Sequence, residues 1–206
     1  MIDKFCDFIS AKIKNSVENL DEERELVIDF GVRLIFGELP KIILLFIIGF
    51  LLGIGWYTLL MFLLLAPYRS FTGGFHLKTH WGCMITTTLL YIGPIALAKI
   101  TPMSLPYVKY GIATLIGIMS IVLITKYAPA DTENIPILSK KERKNKKIKA
   151  YIALVVLLTI SLLAPDKIIT YMLFYGMFLQ NLTITPIAYQ LTNSKHGYEV
   201  YTEETI

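Results

Sequence analysis

Six apolar runs take up most of the chain beyond residue 41: Ile42–Ile54, Trp56–Pro67, Cys83–Ala98, Val108–Lys126, Ala150–Ala164 and Ile168–Tyr189. A helix needs roughly 20 apolar residues to cross a bilayer core of about 30 Å. Runs that approach this length, one after another, leave little room for a water-soluble fold. Composition agrees: 54% of residues are hydrophobic and 17% charged, whereas soluble domains carry about 25% charged residues. The chain of 206 residues is read as a single integral-membrane domain, 1–206. Residues 1–25 lack a continuous apolar core and a small-residue cleavage site, so no cleavable signal peptide is expected. Cys6 and Cys83 are too few for a disulfide framework.

The first two runs are short, each about 12–13 residues, and meet at "GIG", residues 53–55. They form either one long helix or a hairpin. Charge favours the hairpin. The densest basic stretch, "SKKERKNKKIK" at 139–149, belongs in the cytoplasm by the positive-inside tendency. A hairpin then leaves only Lys99, Lys109 and Lys167 outside, of 20 Lys and Arg. One long helix would move the N-terminal cations outside as well. In both arrangements the loop at 68–82 is cytoplasmic. Before these runs, Ile2, Phe5, Ile9, Ile13, Val17 and Leu20 recur at helical spacing opposite Lys4, Lys12 and Lys14, the pattern of an interfacial helix. A second amphipathic stretch, Glu22 to Gly37, carries Asp29 and Arg33 and is too charged for a clean span. The expected fold is an all-α polytopic membrane protein. Amphipathic helices over 1–37 precede about six short or partly re-entrant transmembrane helices over 42–189, and a cytoplasmic tail spans 190–206.

Between the second and third runs stands "SFTGGFHLKTHWGCMI", residues 70–85. His76 and Cys83 are the candidate nucleophilic pair. A cysteine attacks as its thiolate, with an ordinary pKa near 8.5, and a nearby imidazole can take the thiol proton and return it to a leaving amine. Gly73 and Gly74 allow backbone angles that other residues resist. Cys83 follows Gly82 at the start of an apolar helix, where unpaired amides and the dipole would favour a thiolate or an oxyanion. Spacing sets a condition. On one straight helix, positions 76 and 83 lie about 10.5 Å apart, so the chain must turn between them, and Gly82 is the expected break. Two alternatives stand beside this: a buried cysteine near an uninvolved histidine, and a metal site of His76, His80 and Cys83, which lacks a fourth ligand.

The stretch "RSFTGGFHLKTHWGC" resembles the signature of the accessory gene regulator B (AgrB) family of bacterial membrane peptidases, through Arg69, Gly73, Gly74, His76 and Cys83. "KYAPADTENIPI", residues 126–137, is similar to that family's second loop motif, and the basic run after it fits too. The resemblance covers nearly the whole chain. It implies a cysteine endopeptidase that cuts a quorum-sensing propeptide and promotes its cyclisation to a thiolactone or lactone. Cys83 would be the nucleophile and His76 the general base and acid. Arg69, Gly73 and Gly74 would support or bind substrate. No cofactor and no metal is implied. His80 is not part of that signature.

Other residues carry weaker signals. Gln180 and Asn181 are polar inside the last apolar run, where such groups are costly, and helix packing is the expected reason. Pro129, Asp131 and Thr132 are read as shaping their loop. The basic run 140–149 is read as a topology signal and a contact for anionic lipid. Expected partners are a short amphipathic propeptide and the bilayer, with a homodimer left open and no nucleic acid. The competing functions are a small peptide exporter and a metal-binding membrane sensor.

Overall fold

A computed structural model describes residues 2–14, 16, 21–77, 79–102, 106–133, 136–137 and 139–197. Val17 and Leu20 of the N-terminal pattern, and the last residues of the tail, lie outside that set, as do the side chains of Lys4, Arg33 and His80. The described chain is all helical. Its elements are α1 (Ile2–Lys14), α2 (Glu22–Leu51), α3 (Gly55–Thr72), α4 (His80–Ile100), α5 (Pro106–Tyr127), α6 (Lys140–Leu163), α7 (Lys167–Thr183) and α8 (Pro186–Thr192).

Local sequence explains the boundaries. Asp21, Thr79, Ser139, Asp166 and Thr185 each cap the N-terminus of a helix through the side-chain oxygen, which satisfies an amide that has no partner within the helix. Ser139 and Glu142 form the spacing of a capping box, and this starts α6 in front of its basic half. The turn between α2 and α3 passes through Gly53 at φ +68°. Residues 42–67 are therefore a hairpin, not one helix. α2 carries both the charged stretch and the first apolar run, continuing through Pro40.

α4 (His80–Ile100) and α5 (Pro106–Tyr127) contain segments long and apolar enough to cross a membrane, Trp81–Ile100 and Tyr107–Tyr127. α7 and α8 meet that test only together, bent by 71°. The outward faces carry Leu89, Leu97, Leu115, Ile118, Ile152 and Val155. Polar side chains are held inside among the apolar ones, where hydrocarbon offers no water to satisfy them. Tyr68 donates to Asn181 Oδ1 at 2.6 Å, and Asn181 Nδ2 donates to Ser120 Oγ at 2.6 Å. This relay ties α3, α7 and α5 together at fully buried positions. α7 is the hub, packed against α3, α4, α5 and α6. At the N-terminus, α1 lies on α2 through buried Cys6 and Ser10, and Lys14 binds Asp29 at 2.7 Å.

Asn181→Leu should leave the Tyr68 hydroxyl without its acceptor. A buried polar group stripped of its partner costs about 1–3 kcal/mol, with membrane cases near the low end. Thermal unfolding in detergent should show a lower midpoint; an unchanged midpoint would mean the relay contributes nothing to stability.

Candidate active site

The chain leaves α3 through two glycines in backbone regions closed to most residues, Gly73 at φ +76° and Gly74 at φ +141°. Gly73 also lies so close to the loop after α5 that an added Cβ would collide with the Ala130 carbonyl. Here the two loops pair as a short parallel bridge. Ala130 donates its amide to Thr72 O and accepts from the Gly74 amide, both at 2.9 Å. The chain then runs extended from 74 to 77, and Thr79 opens α4. The turn that separates His76 from Cys83 is therefore this glycine loop. It is not Gly82, which sits in the first turn of α4 with its amide donating to Thr79 Oγ1.

That turn brings His76 Nδ1 to 4.0 Å from Cys83 Sγ. Cys83 is buried and His76 partly so. Burial, reinforced by the positive charge of Arg69, lowers the His76 pKa to about 4. The imidazole is thus neutral at pH 7, the form that can accept a proton.

Arg69, on the last turn of α3, holds the loop from beneath. Its Nη1 donates to Gln180 Oε1 at 2.9 Å and its Nη2 to the Phe75 carbonyl at 3.4 Å. Gln180 completes the clamp, with Nε2 donating to Gly73 O at 2.7 Å and Thr72 Oγ1 at 2.9 Å. Thr183 O accepts the Phe75 amide at 3.3 Å. From the C-terminal side, Ser194 Oγ donates to the His76 carbonyl at 3.1 Å. Gln180, read from sequence as helix packing, positions the loop.

Several amides of the loop and of the start of α4 are already used. Those of Gly73, Gly74 and Phe75 bond to Arg69, Ala130 and Thr183 carbonyls, and that of Cys83 to Thr79 O at 3.0 Å. The expectation that amides at the start of α4 stand open beside the sulfur is therefore corrected at Gly82 and Cys83.

His76 lines a cavity of about 320 Å³. Ile42, Phe62 and Ala66 form apolar wall, and Thr87 and Tyr91 project from α4 one and two turns beyond Cys83. Arg69, Lys41 and Lys146 bring positive charge, Glu38 and Asp131 negative. Asp131 anchors the facing loop: it accepts the Ile137 amide at 3.1 Å and pairs with Arg143 and His196. Burial opposes its charge. The His196 and Ile137 hydrogen bonds and the Arg143 charge outweigh burial, so the carboxyl stays below the ordinary range. Lys41 and Glu38 were missed in the sequence, where Lys41 reads only as the flank of an apolar run. Among the described residues, no group of three or more His, Cys, Asp or Glu side chains is placed to hold a metal ion.

Comparison with known proteins identifies the family. The profile of the family described as accessory gene regulator B matches residues 5–184. The chain belongs to the AgrB family. It is 28% identical to accessory gene regulator protein B of Staphylococcus intermedius, over 91% of this chain and 95% of that protein. An AgrB-like protein of Clostridium acetobutylicum is 26% identical over 100% of this chain and 96% of its own length. One from Listeria monocytogenes is 27% identical over 88% and 87%. No solved structure matches. AgrB proteins are a membrane family of accessory gene regulation in quorum sensing.

Two expectations follow from the clamp and the buried imidazole. Gln180→Leu should speed hydrogen exchange of the Gly74 and Phe75 amides by at least about tenfold, since opening that costs 1.4 kcal/mol less exchanges tenfold faster; unchanged protection would show that Gln180 is not what holds the loop. NMR titration of His76 should show no protonation between pH 8 and about 5.5, and a midpoint near 6.5 would mean that burial does not govern it.

Proposed function

We propose that this chain is a cysteine endopeptidase of the membrane that cuts a short quorum-sensing propeptide and promotes closure of the released segment into a thiolactone or lactone. The observation that carries this reading is the 4.0 Å approach of His76 Nδ1 to Cys83 Sγ beside a cavity, in a chain of the AgrB family. His76 takes the Cys83 proton, and the thiolate adds to the scissile carbonyl carbon. The tetrahedral adduct collapses as the C–N bond breaks, and the proton on His76 passes to the departing amine. The amino-terminal part of the propeptide remains as a thioester on Cys83. A thiol or hydroxyl within that segment then attacks the thioester, closes the ring and frees the sulfur. A thioester survives long enough for this only where water is kept away, and a cleft with apolar walls favours that.

In this reading the site faces the cytoplasm, and the basic first half of α6 lies against anionic lipid. The polar side chains of the last apolar run, Gln180 and Asn181, are both spent on hydrogen bonds within the helix pack. This weighs against a transport path through them.

Mass spectrometry of the purified protein after exposure to its propeptide should find a thioester adduct on Cys83. Cys83→Ala should abolish cleavage and Cys6→Ala should spare it. His76→Ala should lose about 10²–10⁴-fold, the usual contribution of a positioned acid–base group. Chelators should leave cleavage unchanged. Normal cutting by the Cys83→Ala protein would overturn the assignment.

A further inference from the structure

Two needs of the reaction are unmet by the groups described so far. Something positive must hold the Cys83 thiolate in an apolar cleft, and something must hold the oxyanion that follows. His76 is neutral before the proton moves, so no preformed imidazolium serves the thiolate. The amides of Gly73, Gly74, Phe75, Gly82 and Cys83 are engaged elsewhere, so they are not open to the oxyanion.

Lys41 stands where both needs arise. It sits on α2, which packs against α4, and lines the same cavity as His76. Only 7% of its side chain is exposed. Its ammonium donates to Glu38 Oε1 at 2.6 Å, and Cys83 lies within its electrostatic reach. A buried ammonium on a helix otherwise turning apolar is costly. One carboxylate at 44% exposure engages one of its three donors and leaves others for the sulfur side. The remaining charged or titratable groups that line the cavity are Arg69 on α3, His76 on the loop, Tyr91 on α4, and Asp131 and Lys146. Arg69 is committed to Gln180 and the Phe75 carbonyl.

We propose that Lys41 is a catalytic residue: its ammonium holds the Cys83 thiolate and then the oxyanion of the tetrahedral intermediate, with Glu38 fixing its position. This rests on the peptidase reading above. As the C–S bond forms, the carbonyl π electrons move to oxygen, and the new negative charge stays within reach of the same cation. No proton leaves Lys41. When the C–N bond breaks, the charge returns to the carbonyl and the leaving amine takes the proton from His76.

The test begins without propeptide, in a Cys6→Ala background so that only Cys83 reacts. Iodoacetamide should alkylate Cys83 about tenfold more slowly at pH 7 in Lys41→Met, and the deficit should close as pH rises, since only the thiolate reacts. Lys41→Arg should restore most of the rate. Equal rates in parent and Lys41→Met would overturn the proposal, as would a deficit of the same size at every pH, which would mark a blocked or misfolded site. With propeptide, Lys41→Met should lose about 10²–10³-fold in kcat, the usual cost of removing an oxyanion donor, with KM little changed. If the parent does not cut the propeptide, the peptidase reading fails while alkylation still reports on Lys41. If parent and Lys41→Met cut equally well, the Lys41 proposal alone fails.

Discussion

A loop at the end of membrane helices keeps one shape only where its backbone hydrogen bonds find partners in the protein. In the glycine turn, α7 supplies several of them. Gln180 takes the Gly73 carbonyl and Thr72 hydroxyl, Thr183 O takes the Phe75 amide, and the facing loop takes the Gly74 amide. The separation of His76 from the helix that carries Cys83 depends on these bonds. The polar residues within the last apolar run therefore repay their cost in geometry.

The same bonds shape the electrostatics. Arg69 would be a free cation near the imidazole if it were not tied to Gln180 and Phe75 O. Tied there, it lowers the affinity of His76 for a proton without competing for its lone pair. A base of reduced proton affinity gives up its proton readily, which suits the second half of an acyl transfer better than the first. In the proposed reaction the first half would then draw on the Lys41 ammonium, so that a neutral ring and a buried cation share the two tasks.

Much of this was legible in the chain. The apolar runs, the hairpin at residue 53 and the pairing of His76 with Cys83 follow from run length, charge placement and the crowded motif at 70–85. The location of the break was not, because Gly82 draws attention as the flexible residue while Thr79, as a cap, decides where α4 begins. Gln180 lies 107 residues from the carbonyl it binds, and no local pattern announces such a contact. Lys41 looked like the polar edge of an apolar segment, since nothing in its neighbours shows that α2 continues through Pro40 and carries it inward.

The order in which the parts are made has a consequence. The turn bearing His76 is synthesised early, yet its partners on α7 and Ser194 come more than 100 residues later. At about 5–20 residues per second, the nascent chain carries an unsupported cysteine for several seconds before the clamp exists. A chain stopped before α7 would carry Cys83 and His76 without the Gln180 bonds that hold the turn between them.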